Sequence, residues 1–372
     1  MHFRSTFSTA ALALIAFAPV AAPFASAQAG TSAPAAKQQP QHPAPQSSAP
    51  TNPANAPIPQ LDIPASGDAA NPFPKPDPRN FTADTPTMDT INAFLHASWG
   101  YDPQRIWQVQ AIAKTPVPGI TKVVVLVAQK VPNGKPQMAS LQFFTLPDGK
   151  HLIADDVLPF GAKPFADYRA LLEQRADGPA RGAASKELLL VEFADFECPH
   201  CKEVQPTIEK LLQQFPNARF VYENYPLVQI HSEAYKASAY SVCVAKMGGN
   251  DAFFKFSDAV FAAQGELTPQ GSDAALKAAV TKVGLDPVKV AACSTSAEAK
   301  SAVDASLKLG QDLNINQTPI LAVNGRVLPI GSLPLEALSQ LVAFQAQQDG
   351  VKTGAVAAAA PSVPPPTTPA KK

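Results

Sequence analysis

The sequence predicts an α/β domain that contains a helical insertion and is preceded by a small α+β domain. A largely apolar run over residues 188–193 is followed by Pro199, which suits the first position of a helix. Apolar residues then recur at helical spacing between residues 231 and 312. Several strand-like runs, separated by turn residues, lie between residues 106 and 157. These three observations together indicate two folded parts of different architecture.

The composition sets limits on the class of protein. The chain has 372 residues, long enough for two or three domains, but its 39 prolines indicate that a sizeable part is unfolded. Lys and Arg number 30, as do Asp and Glu, so no basic footprint for nucleic acid or for an anionic membrane surface is present. We therefore expect neither as a partner. Four cysteines allow at most two disulfides, so burial must hold the core together.

The first 27 residues are typical of a cleaved signal peptide. Arg4 supplies a positive charge, Ala10 to Val20 an apolar run, and Ala25-Ser26-Ala27 a small-residue cleavage site, which predicts cleavage before Gln28. The apolar run is about half of the roughly 20 residues that a membrane span needs. No cysteine lies near the site, so no lipid anchor is expected. The sequence predicts a periplasmic or secreted protein in an oxidising compartment.

The segments that flank the predicted domains are rich in Pro and Ala. Residues 28–82 and residues 349–372 contain few large apolar side chains, so they cannot bury enough surface to offset the entropy lost on ordering. We predict that both segments are disordered.

Residues 83–178 are predicted to form the small α+β domain. Apolar residues at helical spacing after Thr87 indicate a helix, and a second helix is predicted from Phe165 to Arg175. Between the helices, four strands are predicted: Ile106–Ala113, Lys122–Val131, Met138–Leu146 and His151–Val157. A Gly- and Ala-rich link, Ala176–Ser185, follows. The region contains no cysteine, which favours an accessory role.

Residues 183–348 are predicted to form the α/β domain, interrupted by the helical insertion at 231–312. A helix from Pro199 to Phe215 separates the first strand from a second at Ala218–Asn224, so a parallel strand-helix-strand unit is the simplest topology. After the insertion, the pattern predicts two strands and a last helix: Ile320–Val323, Val327–Ile330 and Pro334–Gln345.

Cys198 and Cys201 stand two residues apart where the first helix of this domain should begin. Unpaired backbone N–H groups and the positive end of the helix dipole stabilise a thiolate at such a position. A zinc site normally needs a second close Cys or His pair, and none is present, so no metal and no cofactor are expected. A purely structural disulfide in so short a loop would constrain the unfolded chain little. Thiol–disulfide exchange is therefore the favoured chemistry.

The run VEFADFECPHC, followed later by QTPI, resembles the DsbA-like branch of the thioredoxin superfamily over residues 188–343. The resemblance implies a thioredoxin fold with a helical insertion. It further implies that Cys198 is an exposed nucleophile, that Cys201 is the buried resolving cysteine, and that Glu192 is a buried acid. If burial raises the pKa of Glu192, its carboxyl group can exchange a proton with Cys201. The alternative is that Glu192 is a strand residue whose side chain faces the surface.

The same resemblance implies roles for residues on both sides of the cysteines. Pro199 and His200 tune the active site, and the imidazole is expected to add a donor or a positive charge beside the sulfur of Cys198. Thr318 precedes Pro319, at a position where relatives place a cis proline. If Pro319 is cis, the backbone of Thr318 is available to pair with an extended substrate segment. Without the resemblance, Pro319 would be interpreted as a proline in a turn.

Some relatives carry an additional disulfide in the insertion, which here implies a bond between Cys243 and Cys293. Such a bond would close a loop of about 50 residues and stabilise the fold by roughly 4 kcal/mol in the chain-entropy model. The alternative is two separate buried thiols.

The leading functional prediction is an exported thiol:disulfide oxidoreductase that introduces disulfides into reduced or misfolded exported proteins and is reoxidised by a membrane redox partner. The segment LPDGKHLIADDVLPFG resembles the N-terminal domain of the DsbC and DsbG isomerases, so the alternative is a dimeric isomerase or reductase. A third possibility is a non-catalytic adaptor.

Overall fold

The computed structural model describes residues 72–130, 136–154 and 157–353. The predicted signal peptide and cleavage site lie outside these residues, as do most of the two segments predicted to be disordered. Among the described residues, none of the helices has both the length and the apolar character that crossing a membrane requires.

The first part of the chain forms a helix and an antiparallel sheet. Helix α1 (Met88–Trp99) begins after Thr87, whose hydroxyl accepts a hydrogen bond from the amide of Thr90 at 3.1 Å. Its buried side chains pack on a five-stranded sheet of order β1-β2-β3-β4-β5. The strands are β1 (Arg105–Lys114), β2 (Thr121–Gln129), β3 (Gln137–Thr145), β4 (His151–Ile153) and β5 (Val157–Pro159). Three of the four strands predicted in this region are confirmed with small shifts at their ends.

The fourth prediction, a single strand over His151–Val157, is wrong. Strand β4 ends at Ile153 and pairs antiparallel with β5, so that Ile153 lies opposite Val157. The residues between the two strands include Asp155 and Asp156, which lie outside the described residues; aspartate is depleted in strands and enriched in turns. The apolar residues on either side belong to two strands.

The second sheet has the order β10-β9-β7-β8-β6 and forms the core of the α/β part. Its elements before the insertion are α2 (Ala166–Arg175), β6 (Ala180–Gly182), β7 (Leu188–Ala194), α3 (Pro199–Gln214) and β8 (Ala218–Asn224). Strand β7 pairs parallel with β8 and antiparallel with β9, so the predicted parallel unit around α3 is confirmed. Every residue of β7 is buried.

Strand β6 lies inside the segment predicted to be a link. Ala180 to Gly182 pair antiparallel with β8, so the second sheet begins before residue 183, the predicted start. A three-residue edge strand is too short to show an alternating pattern in the sequence. A glycine at position 182 also indicates a turn, and in the structure Gly182 has a positive φ of 86°.

The predicted helical insertion is confirmed and consists of α4 (Ala234–Ala262), α5 (Ser272–Lys282), α6 (Pro287–Ser294) and α7 (Ala297–Asp312). Then come β9 (Ile320–Val323), β10 (Arg326–Pro329) and α8 (Leu335–Gln348). Leu188 and Leu190 of β7 face one apolar cluster, and Leu189 and Val191 face another. Because both faces of the central strand are covered, its sequence is continuously apolar apart from Glu192.

The segments predicted to be disordered are structured where they meet the domains. Phe73 is 5% exposed and packs with Leu126 and Ala128 of β2. At the other end, Asp349 accepts a hydrogen bond from the side chain of Asn324 at 2.7 Å. Few apolar residues stand at either boundary, so composition alone places the ends of the folded region several residues too far inward.

A buried arginine joins the two parts of the structure. Arg326 on β10 is 6% exposed, and its guanidinium donates to the carbonyls of Ala97 and Ser98 at the C-terminal end of α1 and to the side chain of Gln345. It also stacks over the ring of Phe165, 4.2 Å from the ring centroid. Carbonyls at a helix C-terminus have no partner within the helix and favour a positive charge. Arg326 therefore satisfies acceptors that the contact between the two parts would otherwise leave unpaired.

We expect Arg326→Met to lower the free energy of unfolding by about 2–4 kcal/mol, because the buried carbonyl of Ala97 and the partly buried carbonyl of Ser98 lose their donor. Urea unfolding followed by circular dichroism measures the change. Arg79→Met is the control, since that arginine side chain is 89% exposed and its loss should change the stability much less. Equal effects of the two substitutions would contradict the role assigned to Arg326.

Candidate active site

The structure places the two cysteines at the N-terminus of α3, as predicted. Cys198 is the N-cap residue and Pro199 the first helical residue, where its missing N–H is not needed. Both cysteines are free thiols; Cys198 is 5% exposed and Cys201 is fully buried. The expectation that Cys198 is exposed is thus corrected. Its sulfur lies against the loop that carries Thr318, 3.6 Å from the carbonyl oxygen of that residue.

The pKa values of the two thiols are shifted in opposite directions. A hydrogen bond from the Cys201 thiol, a contact with Thr318 and the backbone amides of Cys201 and His200 lower the pKa of Cys198 to about 5, against the opposing effect of burial. Burial, followed by the hydrogen bond to Cys198, raises the pKa of Cys201 well above its usual value. At neutral pH Cys198 is therefore a thiolate and Cys201 a protonated thiol.

The side chain of His200 does not take the position that the sequence suggested. Its ring nitrogen Nδ1 lies 3.0 Å from a carboxylate oxygen of Glu203, and both side chains are about two-thirds exposed. Residues three apart on a helix are neighbours, which explains the pairing. The contribution of His200 to the thiolate of Cys198 comes from its backbone amide.

Glu192 is fully buried, so the alternative of a strand residue that faces the surface does not hold. The side-chain amide of Gln205 donates to one carboxylate oxygen of Glu192 at 2.9 Å and to the carbonyl of Cys201 at 3.0 Å. Burial raises the pKa of Glu192 to about 7, while the bond from Gln205 opposes the rise. Burial thus raises the pKa of Glu192, which is the condition under which proton exchange with Cys201 is expected.

We expect Glu192→Gln to stabilise the protein increasingly as the pH rises from about 4.5 to about 7. In the unfolded chain the carboxyl loses its proton near pH 4.5, but in the folded state it keeps the proton until about pH 7, so the native protein loses stability over this range. The difference corresponds to about 3 kcal/mol, which the glutamine variant should not lose. Urea unfolding of the reduced protein at pH 5 and pH 8 measures it.

The exposed Glu336→Gln is the matched control for this measurement. If the two variants show the same change between pH 5 and pH 8, the raised pKa of Glu192 is wrong.

Thr318 and Pro319 lie immediately before β9 and reach the cysteines across 120 residues of sequence. Their peptide bond is cis. The carbonyl of Pro319 accepts a hydrogen bond from the amide of Ile330 at 3.2 Å, which ties this loop to the end of the β9-β10 hairpin. The structure therefore brings Cys198, Cys201, Thr318 and Pro319 together, with Glu192 connected to them through Gln205.

Cys243 and Cys293 are joined in a disulfide, with their Cα atoms 6.0 Å apart. The bond connects α4 to α6 inside the insertion, away from the CxxC pair in sequence. The alternative of two separate thiols is not what the structure contains.

Asp195 contributes to the site and was not predicted. It is fully buried, and its carboxylate accepts hydrogen bonds from the amides of Glu197 and Leu227 at 2.7 Å each and lies 2.8 Å from Nδ1 of His231. Its own amide points to the sulfur of Cys201 at 3.4 Å. A carboxylate directly after a buried strand and three residues before a CxxC motif was the available sequence signal.

Gln264 is a second residue that sequence reasoning missed. Its side-chain amide donates to the carbonyls of Phe196 and Cys198 at 2.8 and 2.9 Å, so the helical insertion holds the backbone of the CxxC loop. No sequence pattern marks this glutamine, because its role depends on where the insertion folds back.

Within the described ranges, no group of three or more His, Cys, Asp or Glu side chains is placed to hold a metal ion. A pair of thiols can exchange two electrons with another dithiol through a mixed disulfide, without any bound group.

A parallel strand-helix-strand unit, a CxxC pair at the helix N-terminus and an antiparallel hairpin behind a cis proline define a thioredoxin fold, and the four helices between β8 and β9 are its insertion. Residues 174–343 match a family model described as "Thioredoxin". This match covers less than half of the chain and supports the resemblance of this part to the thioredoxin superfamily that the sequence predicted.

Two curated relatives are named as sodium/proton antiporters. The chain is 33% identical over 163 residues to Na(+)/H(+) antiporter NhaA 1 of Salinispora arenicola, and 31% identical over 163 residues to NhaA 3 of Salinispora tropica. In each case the match covers 44% of this chain and 24% of the relative. The chain thus spans about a quarter of the length of these curated relatives.

Solved structures with partial similarity include a periplasmic thioredoxin-like protein and a thiol–disulfide exchange protein. A periplasmic thioredoxin-like protein from Salmonella enterica serovar Typhimurium is 21% identical and covers 48% of this chain and 96% of its own, with a TM-score of 0.41. BdbD from Bacillus subtilis is 21% identical, with coverages of 46% and 93% and a TM-score of 0.41. The thiol-disulfide exchange protein α-DsbA2 from Wolbachia pipientis is 20% identical and covers 47% of this chain and 94% of its own, with a TM-score of 0.41. Similarity at this level says nothing about the activity of this chain.

Proposed function

We propose that the protein is an exported thiol:disulfide oxidoreductase that donates the disulfide of Cys198 and Cys201 to folding proteins. The observation that supports this direction most strongly is the surroundings of the Cys198 sulfur. The Cys201 thiol, Thr318 and the backbone amides of Cys201 and His200 lower the pKa of Cys198 and so stabilise its thiolate. A stabilised thiolate favours the reduced enzyme, which makes the disulfide form an oxidant.

The first step of the proposed reaction begins with the Cys198–Cys201 disulfide. A substrate thiolate attacks the sulfur of Cys198, the bond between the two cysteines breaks, and Cys201 leaves as a thiolate. Because Cys201 has a high pKa, it takes up a proton, which Glu192 supplies from its buried carboxyl group.

In the second step, a second thiolate of the substrate attacks the substrate sulfur of the mixed disulfide. A substrate disulfide forms, and Cys198 leaves as a thiolate with a pKa of about 5, which makes it a good leaving group. Two electrons have then passed from the substrate to the enzyme. The glutamate regains its proton from solvent.

The partners proposed for this cycle are reduced or misfolded exported proteins and a membrane redox partner that reoxidises Cys198 and Cys201. The signal-peptide pattern of residues 1–27 supports a periplasmic location. An oxidising compartment also suits the disulfide between Cys243 and Cys293.

The reduction potential of the Cys198/Cys201 couple, measured against glutathione, tests the direction of the reaction. We expect a potential well above that of thioredoxin, where each 30 mV corresponds to about 1.4 kcal/mol, together with fast oxidation of a reduced peptide. A potential near the thioredoxin value would overturn the oxidase proposal. Recovery of scrambled ribonuclease by a dimeric protein would instead support the isomerase alternative. Binding of unfolded protein that Cys198→Ser leaves unchanged, without any exchange activity, would support the adaptor.

A further inference from the structure

Tyr222 lies next to Glu192 in the centre of the second sheet. The two residues are direct partners in the parallel pair of β7 and β8, so their side chains project from the same face. Tyr222 is 1% exposed, and its ring packs against Phe196 of the CxxC loop and Phe253 of α4, with centroid distances of 5.7 and 5.1 Å. This packing fixes the ring of Tyr222 at the strand position next to Glu192.

One buried oxygen in each of these two side chains has no hydrogen-bond partner among the described residues. One is the hydroxyl of Tyr222, and the other is Oε2 of Glu192, whose Oε1 is bonded to Gln205. A buried polar atom without a partner costs about 1–3 kcal/mol, and buried polar groups of this kind are commonly joined by an ordered water molecule. A water that bridges the two oxygens would satisfy both.

The direction of the hydrogen bond follows from the chemistry of the two groups. Burial is the larger cause and the negative charge of Glu192 the second cause that raises the pKa of Tyr222 well above its usual value. The phenol therefore keeps its proton throughout the range in which Glu192 titrates, and it acts as the donor towards an ionised carboxylate, which can only accept.

We propose that Tyr222 is a positioning residue whose hydroxyl, through one ordered water, donates to Oε2 of Glu192 and sets the pH at which Glu192 exchanges its proton with Cys201. The consequence for exchange rests on the proposed function, but the hydrogen bond itself does not. With Gln205 on one carboxylate oxygen and Tyr222 on the other, both donors favour the ionised form and limit the rise in pKa that burial causes.

Several other charged or titratable groups face this pair. Glu192 is affected by Arg181 on β6 and by Glu209 on α3; Tyr222 is affected by Cys198, Cys201 and Asp195. Tyr222→Phe leaves all of them in place and preserves the ring that packs on Phe196. The substitution therefore removes only the hydroxyl.

The test is Tyr222→Phe in the full-length reduced protein, with the pKa of Glu192 followed by the infrared carbonyl stretch of its protonated form. Glu192→Gln assigns the band. We expect the pKa of Glu192 to rise by about one pH unit, because a hydrogen bond to a charged group is lost. Tyr225→Phe is the matched control: this buried tyrosine donates to the carbonyl of Ile315 at 2.5 Å, and its loss should not move the band.

An unchanged titration of Glu192 in a folded Tyr222→Phe variant would overturn the proposal, even if the variant is less stable. A crystal structure of the native protein supplies an independent check, since it should show an ordered water within hydrogen-bond distance of both oxygens. A pH profile of disulfide exchange that moves with the titration links the bond to the reaction. If the native protein lacks exchange activity, the proposed function fails, but the infrared titration still decides the role of Tyr222.

Discussion

Cys198→Ser is expected to reduce the rate of disulfide exchange to the uncatalysed background, a loss on the order of 10³-fold or more. Cys198 carries the sulfur that forms the mixed disulfide, and Cys201 cannot replace it because that thiol is fully buried and its pKa is strongly raised. Oxidation of a reduced fluorescent peptide measures the rate. Absorbance of the reduced native protein at 240 nm should show a thiolate that titrates near pH 5 and is missing in the variant.

Cys201→Ser is the matched control for this experiment. A serine hydroxyl can still donate a hydrogen bond to the sulfur of Cys198, so the thiolate should remain and should still react with iodoacetamide at pH 6. The variant should stop at the mixed disulfide, because nothing resolves it. Substantial turnover by Cys198→Ser would mean that another group performs the exchange.

Replacing both Cys243 and Cys293 with alanine is expected to lower the free energy of unfolding by about 4 kcal/mol. The disulfide closes a loop with a sequence separation of 50 residues, and the chain-entropy model assigns a cross-link of this length roughly that stabilisation. Urea unfolding of the oxidised native protein and of the double variant at the same pH measures the difference. The CxxC pair is untouched by the substitution, so the thiolate titration should be retained.

Reduction of the native protein is the control for this second prediction. A strong reductant acts on the CxxC pair of both proteins alike, so it should bring the reduced native protein close to the stability of the reduced double variant. A difference below about 1 kcal/mol between the oxidised native protein and the double variant would show that the bond contributes little to the fold.

Elements with a regular hydrophobic pattern were predicted well. The buried strand β7, the amphipathic helix α3 and strand β8 follow from local periodicity, and Pro199 marks the helix start. Short elements were missed for the same reason, because three residues are too few to show a period. Strand β6 is one example, and the division of His151–Val157 into two strands is another.

Some features of the candidate site could likewise be predicted from the sequence, and others could not. The CxxC motif and the Thr318-Pro319 pair consist of residues close together in the sequence, so the sequence alone identified them. The orientation of His200 towards Glu203 and the low exposure of Cys198 depend on neighbours that the folded chain supplies. The same holds for Gln264, which reaches the motif from the far end of α4.

The sequence by itself determined the order of the elements, the position of the thiols at a helix N-terminus and the chemistry available to them, because backbone amides and apolar periodicity act over a few residues. Only the tertiary structure decided the electrostatics of the site. Burial of Glu192, its link to Cys201 through Gln205 and its pairing with Tyr222 across two strands arise when the sheet closes. A pKa is set by the groups within a few ångströms, and in this site they come from distant parts of the chain.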